Sequence, residues 1–335
     1  MPRSMIAKPA RHAQNARRMK LLSTIGSALL VAASVFAGDM KFAIAPGFFD
    51  AQPDGKQLGP THGGAVIDKA GNIYISTDTP RGIVVFTPEG KFSRAFGPTK
   101  IHGMQIRDEG GTEFIYGARA GEHEVVKLQL DGKVEWTIKA PMESGLYKDE
   151  KAFNPCAVTV GPDGAIFVAD GYGSNYLLKF DKDQKFVAKY GGPGVEEGKF
   201  KTCHGIALDT RGEKPLLFVC NRNNNRVEYW DLDGNFVRVI QKDLRMPAAV
   251  MIRGDYAVIP ELQGRVTVLD KTGAIVAQVG DNPEQKQRAN FGLPVDQWKD
   301  GITNAPHGAS IDKDGNLIIT EWSAFGHLHK FVLQK

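Results

Sequence analysis

Four His-Gly pairs stand at the head of similar apolar runs: "THGGAVIDKAG" at His62, "IHGMQIRDEG" at His102, "CHGIALDTRG" at His204 and "PHGASIDKDG" at His307. Neutral imidazoles are ligands for divalent transition metals. Three of them around a point, with one position left open, form the ligand set of a catalytic Zn²⁺. A single His at such a place more often just hydrogen-bonds to carbonyls and water. The chemistry therefore depends on whether the fold brings these four together.

The pairs belong to longer units. "HGGAVIDKAGNIYISTDTPRGIVVFTPEGKFSRAFG" alternates apolar and β-branched runs with Gly, Asp, Asn and Pro turns, the signature of short strands and hairpins. The unit recurs from Pro155, Cys203, Pro247 and Pro306, and with the units at His62 and His102 that makes six. The equivalent positions 62, 102, 156, 204, 248 and 307 are 40, 54, 48, 44 and 59 residues apart. Four strands repeating at this period predict the blades of a β-propeller, in which each blade buries its faces only against its neighbours. The fold class predicted is all-β, one six-bladed propeller over residues 38–335. The sixth unit ends one strand short, and "MKFAIAPGFF" is expected to supply that strand. The longer spacings place polar, Pro-containing insertions at residues 141–153 and 281–303.

In such a ring the first strand of each blade lines the axis. The head position then reads His62, His102, Cys156, His204, Ala248 and His307. Blades 2, 4 and 6 carry His102, His204 and His307, and alternate blades of a six-fold ring lie about 120° apart. These three are the predicted metal ligands, with Zn²⁺ the expected ion and another divalent transition metal the alternative. His62 breaks the three-fold pattern, as an extra ligand or a group behind the ligands.

The rest of the composition bounds the setting. Residues 1–37 hold a basic stretch, an apolar run and small residues at Val35-Phe36-Ala37, which predicts a secretory signal cleaved after Ala37 and a periplasmic or secreted protein. The apolar run is shorter than the roughly 20 residues a membrane span needs. Six of the 42 Lys and Arg lie in that leader. What remains is 36 bases against 38 acids, with no basic footprint for nucleic acid. Three cysteines, Cys156, Cys203 and Cys220, permit one disulfide and no framework.

"VGPDGAIFVADGYGSNYLLKF" and "HGIALDTRGEKPLLFVCNRNNNRVEYW" resemble NHL-repeat propellers and, more narrowly, the catalytic domain of peptidyl-α-hydroxyglycine amidating lyase. The resemblance implies a zinc held by three channel histidines, here His102, His204 and His307. It also implies a catalytic tyrosine in an Asp-Gly-Tyr phrase, here Tyr172, and an arginine one blade on, here Arg222. A further arginine falls at Arg81. The implied activity cleaves a hemiaminal C–N bond at a peptide C-terminus, giving an amide and glyoxylate, with Tyr172 as general base and its pKa lowered by the metal and Arg222. The family's methionine before the last His pair is Ala305 here. Its calcium-binding aspartate is Gly308, which puts Ca²⁺ in doubt. Arg119, Glu261 and Trp322 are expected on the same face. The rival readings are a non-enzymatic propeller that binds protein or glycan, and a calcium-dependent lactonase, which the axial imidazoles disfavour.

Overall fold

The computed structural model describes residues 40–49 and 58–335. The predicted leader lies outside these residues, and no helix among those described is long and apolar enough to cross a membrane. The described strands run in chain order from β1 (Lys41–Ile44) to β24. Blade 1 is β2 to β5 (Ala65–Ile67, Ile73–Ser76, Ile83–Phe86, Phe92–Phe96), and blade 2 is β6 to β9 (Gly103–Glu109, Thr112–Arg119, Glu124–Gln129, Val134–Ile138). Blade 3 is β10 to β13 (Ala157–Val160, Ile166–Ala169, Tyr176–Phe180, Phe186–Gly191). Blade 4 is β14 to β17 (Cys203–Asp209, Leu216–Asn221, Arg226–Trp230, Phe236–Gln241), and blade 5 is β18 to β21 (Met251–Arg253, Tyr256–Glu261, Arg265–Leu269, Ile275–Val279). Blade 6 is β22 to β24 (Pro306–Ile311, Leu317–Glu321, Leu328–Gln334), completed by β1 as its outer strand.

Each blade is a four-stranded antiparallel sheet, in sequence order in blades 1 to 5 and closed by β1 in blade 6, so the six-bladed propeller read from the repeat is the fold. The missing strand is also where the sequence put it. β1 pairs antiparallel with β24, Lys41 opposite Gln334 and Ile44 opposite Phe331.

The apolar patterning follows from position in the blade. Inner strands are buried on both faces and read as continuous apolar runs, as in "AVTV" of β10 and "IFVA" of β11. Outer strands alternate, as β13 does. The buried side chains form clusters that bridge successive blades. Phe167 and Leu177 of blade 3 meet Ile206, Leu217 and Trp230 of blade 4, and Ile318 of blade 6 meets Ile73 and Ile75 of blade 1 across the closing seam. Fully burying each such side chain contributes roughly 1.5–3 kcal/mol, so the ring is held by its seams.

The antiparallel order sorts the loops onto two ends. Turns between first and second strands, and between third and fourth, fall at one end, and several are tight Asx turns. Asp231, for example, accepts from Asp233 N at 3.0 Å and Asn235 N at 2.8 Å. Turns between second and third strands share the other end with the heads of the first strands and the links between blades. Residues 141–153 and 281–303 are such links, each with two short 3₁₀ turns. Site residues and long loops therefore share one face.

Crowding at the axis explains the glycine after each His. A Cβ on Gly308 would lie 1.4 Å from the Gly63 carbonyl oxygen, so no side chain fits where blade 6 passes blade 1. An aspartate cannot stand at this position in this backbone.

Candidate metal and active site

The fold brings the three predicted ligands together. The ring centroids of His102, His204 and His307 are separated by 4.7, 4.8 and 4.8 Å, a nearly equilateral triangle on the axis. All three are buried and line one cavity with Cys156, Ala248 and Gly63. His62 joins them: its ring lies 4.7 Å from His102 and 5.4 Å from His307. It is part-exposed, and its Nδ1 is 3.4 Å from Asp78 Oδ2. The axis thus holds four imidazoles.

Backbone carbonyls set the tautomers. His102 Nδ1 is 2.8 Å from Cys156 O, and His204 Nδ1 is 2.5 Å from Ala248 O. A carbonyl only accepts, so Nδ1 carries the proton in both rings and Nε2 presents its lone pair. This is the outer-shell arrangement that orients metal-bound imidazoles. Burial, joined by the charges of neighbouring His and Arg222, pushes all three imidazoles well below the usual histidine pKa. They are neutral at pH 7, the state a metal ligand requires. Donor atoms within 4.8 Å of one another form two overlapping sets on the axis, His62–His102–His307 and His102–Cys156–His204. Burial pushes the Cys156 thiol up in the metal-free site, so a cation bound through that sulfur would have to displace its proton. A divalent transition cation fits this chemistry. All three cysteines are free and buried, so the disulfide the sequence permitted does not form.

Tyr172 reaches into the cluster. Its hydroxyl lies 2.9 Å from His204 Nε2 and 3.2 Å from His102 Nε2, and it accepts from Arg222 Nη1 at 2.8 Å. The residue is 39% exposed, yet its hydroxyl end sits among buried imidazoles. The loop that carries it is rigidly held. Asp170, fully buried, accepts from Asn154 N, Ser174 N, Ser174 Oγ and the Tyr147 hydroxyl, all at 2.6–2.8 Å. A Cβ on Gly171 would lie 2.1 Å from Cys203 O, so the "DGY" phrase needs that glycine to bring Tyr172 over the axis. Burial pushes the Tyr172 pKa up to about 12 against the opposing pull of Arg222. The lowering expected from Arg222 is therefore outweighed by desolvation.

The other expected residues divide. Arg222 begins the turn after β15 and also donates from Nε to Asn223 Oδ1 at 3.0 Å. Arg81 occupies the corresponding turn of blade 1 and donates from Nη2 to Leu58 O at 2.6 Å. Trp322 is on the face, 6.2 Å from the His62 ring. Arg119 and Glu261 end their second strands at this end of the ring but are engaged by the frame. Arg119 is tied to Glu124 and to Thr99 O, and Glu261 is fully buried, paired with Arg265 and accepting from Arg245 N. They brace the frame. Asp170 was missed, although an Asp, Asn or Glu recurs at that blade position as Asp170, Asn221, Glu261 and Glu321. Each accepts a backbone N–H from the link leading to the axis residue.

No family model matches the chain. It is 24% identical over 251 residues to a probable peptidyl-α-hydroxyglycine α-amidating lyase of Caenorhabditis elegans, covering 71% of this chain and 67% of that one. It is 30% identical over 149 residues to a peptidylglycine α-amidating monooxygenase of Rattus norvegicus, a match spanning 42% of this chain but only 14% of the rat protein. A solved streptogramin B lyase superposes with a TM-score of 0.58 at 16% identity, over 88% of this chain and 98% of that one. The chain is thus a six-bladed β-propeller similar in sequence to peptidyl-α-hydroxyglycine amidating lyases.

Proposed function

We propose that this protein is a metal-dependent lyase that cleaves a hemiaminal C–N bond, as in a peptidyl-α-hydroxyglycine, to an amide and glyoxylate. The observation that carries the reading is the Tyr172 hydroxyl, 2.9 and 3.2 Å from two imidazole lone pairs and 2.8 Å from an arginine donor. A phenol buried against an arginine and a cluster of neutral imidazoles is suited to moving a proton. His102, His204 and His307 would hold the ion, with His62 beside them. A divalent cation there supplies Lewis acidity, favouring ionisation of a bound hydroxyl and of the neighbouring phenol.

The protein's own groups do the rest. The substrate hydroxyl loses its proton to Tyr172 acting as phenolate. The oxygen electron pair forms the carbonyl of glyoxylate, and the C–N bond breaks with its pair going to nitrogen. The phenol then returns the proton to the leaving amide nitrogen, so no net proton is consumed. Arg222 holds the Tyr172 oxygen in place and favours its ionised form. Its N–H groups not engaged by Tyr172 and Asn223 suit the substrate carboxylate. Asp170 keeps the phenol over the axis through the loop it anchors.

The test is glyoxylate release from a peptidyl-α-hydroxyglycine by purified protein whose metal content is measured. Tyr172→Phe keeps the ring and removes the ionisable group. It should lower turnover by about 10²- to 10⁴-fold with metal content unchanged. Fully metallated wild type that releases no glyoxylate overturns the lyase reading and leaves a propeller that binds protein or glycan.

A further inference from the structure

A second cluster of imidazoles lies off the axis, in blade 6. Glu321 ends β23, His327 immediately precedes β24, and His329 is the second residue of that strand. Glu321 N donates to His327 O at 3.1 Å, which sets the two residues opposite each other, and His329 lies opposite Ile319. Residues two apart on a strand share a face, so Glu321, His327 and His329 project to one side. Their donor atoms lie within 4.8 Å of one another; Glu321 and His329 are buried and His327 is part-buried.

Two imidazole nitrogens converge on one carboxylate oxygen. Glu321 Oε1 is 2.6 Å from His329 Nε2 and 3.3 Å from His327 Nδ1. The first is a hydrogen bond. The second is not, and His327 Nδ1 is a buried polar atom with no hydrogen-bond partner. Such atoms are uncommon in folded proteins and call for a specific explanation, an ion among them. The ring is fixed in this position, because Trp298 stacks on it at 3.8 Å with the planes 9° apart, and the Trp298 indole N–H donates to Leu293 O at 3.2 Å.

We infer that Glu321, His327 and His329 form a second metal site, for a divalent transition cation of the Zn²⁺ class. Two imidazoles and one carboxylate are an established zinc donor set. Two bonds of about 2.0–2.1 Å at a tetrahedral angle put their ligand atoms about 3.3 Å apart, the spacing that His327 Nδ1 and Glu321 Oε1 already have. The His329 contact has to open by about 0.7 Å, exchanging its hydrogen bond for a metal bond. The remaining position falls to water. Glu321 also accepts from Asn304 N and Ala305 N, at 3.0–3.1 Å, just before His307. An ion here would therefore cross-link β23, β24 and the link that carries an axial ligand. The site is independent of the proposed lyase activity.

The test uses metal-stripped full-length protein titrated with Zn²⁺. Wild type should bind one equivalent more than His327→Asn, and zinc should raise the melting temperature of a His102→Ala/His204→Ala variant but not of that variant carrying His327→Asn as well. Equal stoichiometry in wild type and in His327→Asn would overturn the site. A second readout needs no ligand substitution. Cu²⁺ bound at His327 should quench Trp298 fluorescence in the wild type, and Trp298→Phe should remove that quenched component. Cu²⁺ titration that leaves the Trp298 component unquenched also overturns it.

Discussion

Blades 4 and 5 share one backbone frame and differ at the axis. In each, a polar side chain ending the second strand grips the incoming link: Asn221 accepts from Lys201 N, and Glu261 accepts from Arg245 N. Blade 4 then presents His204 to the axis, and blade 5 presents Ala248. Ala248 has no side chain able to bind anything, yet its carbonyl fixes the His204 ring at 2.5 Å. Blades 2 and 3 repeat the arrangement, with Cys156 O orienting His102 at 2.8 Å. Blades 2 and 4 contribute imidazoles, and blades 3 and 5 after them contribute the carbonyls that aim them. The fold supplies the frame, and the chemistry is set by which side chain occupies one repeated position. Blade 1 is the exception, because His62 stands where Cys156 and Ala248 stand.

The largest effect expected from breaking this pattern is at an even blade. His204→Ala removes a ligand and the acceptor nearest to Tyr172. It should abolish bound axial metal and lower glyoxylate release by more than the roughly 10- to 100-fold typical of losing an outer-shell partner. His62→Ala, in an odd blade, should cost less on both counts. Elemental analysis beside the glyoxylate assay checks this, and equal losses for the two variants would erase the distinction between blades.

The repeat made the ring legible, and alternate spacing made the triangle of His102, His204 and His307 legible, because a propeller converts sequence position directly into angle. The missing strand was readable because blade 6 lacked one. What was not readable depended on backbone atoms or on contacts between distant loops. Nothing in the sequence marks Cys156 O or Ala248 O as orienting groups, since their side chains do not take part. Glu261 read as a face residue because its burial depends on Arg265 and Thr267 across the blade. The cluster at His327 and His329 was not read from the sequence, because it needs Glu321 from the neighbouring strand and Trp298 from the 281–303 link.

A smaller effect concerns pH. The axial imidazoles are held below the ordinary value, chiefly by burial, so the unfolded chain takes up protons that the metal-free fold refuses. Their contribution is negligible above about pH 6.5 and becomes destabilising as pH falls below it. Each imidazole adds a slope of at most about 1.4 kcal/mol per pH unit. His329 is shifted in the same direction, while Glu321, held below the carboxylate range, acts only at lower pH. Urea midpoints of metal-free wild type should therefore fall between pH 7 and pH 5. His204→Ala should fall less steeply and Ala248→Gly as steeply as wild type. Parallel curves for wild type and His204→Ala would mean that His204 does not resist protonation.

The smallest expected effect is at Cys156, and it tests the odd blades most directly. The Cys156 thiol lies within ligand reach of His102 and His204, so a thiolate ligand is the natural competitor to the all-imidazole set. One feature argues against it: the residue's hydrogen bond to a ligand, His102, runs through its carbonyl, which any residue supplies. Cys156→Ala keeps that carbonyl and removes only a buried sulfur packed at the axis. Metal content should be unchanged and turnover should stay within about 2-fold, while stability falls by about 1 kcal/mol, the typical cost of a single substitution. A Co²⁺-substituted sample carries the same information spectroscopically, since an all-imidazole site lacks the sulfur-to-metal charge-transfer band that a thiolate gives. If Cys156→Ala loses the ion, or the band is present in wild type, blade 3 contributes a side chain after all, and the division between even and odd blades fails where its two partners are closest.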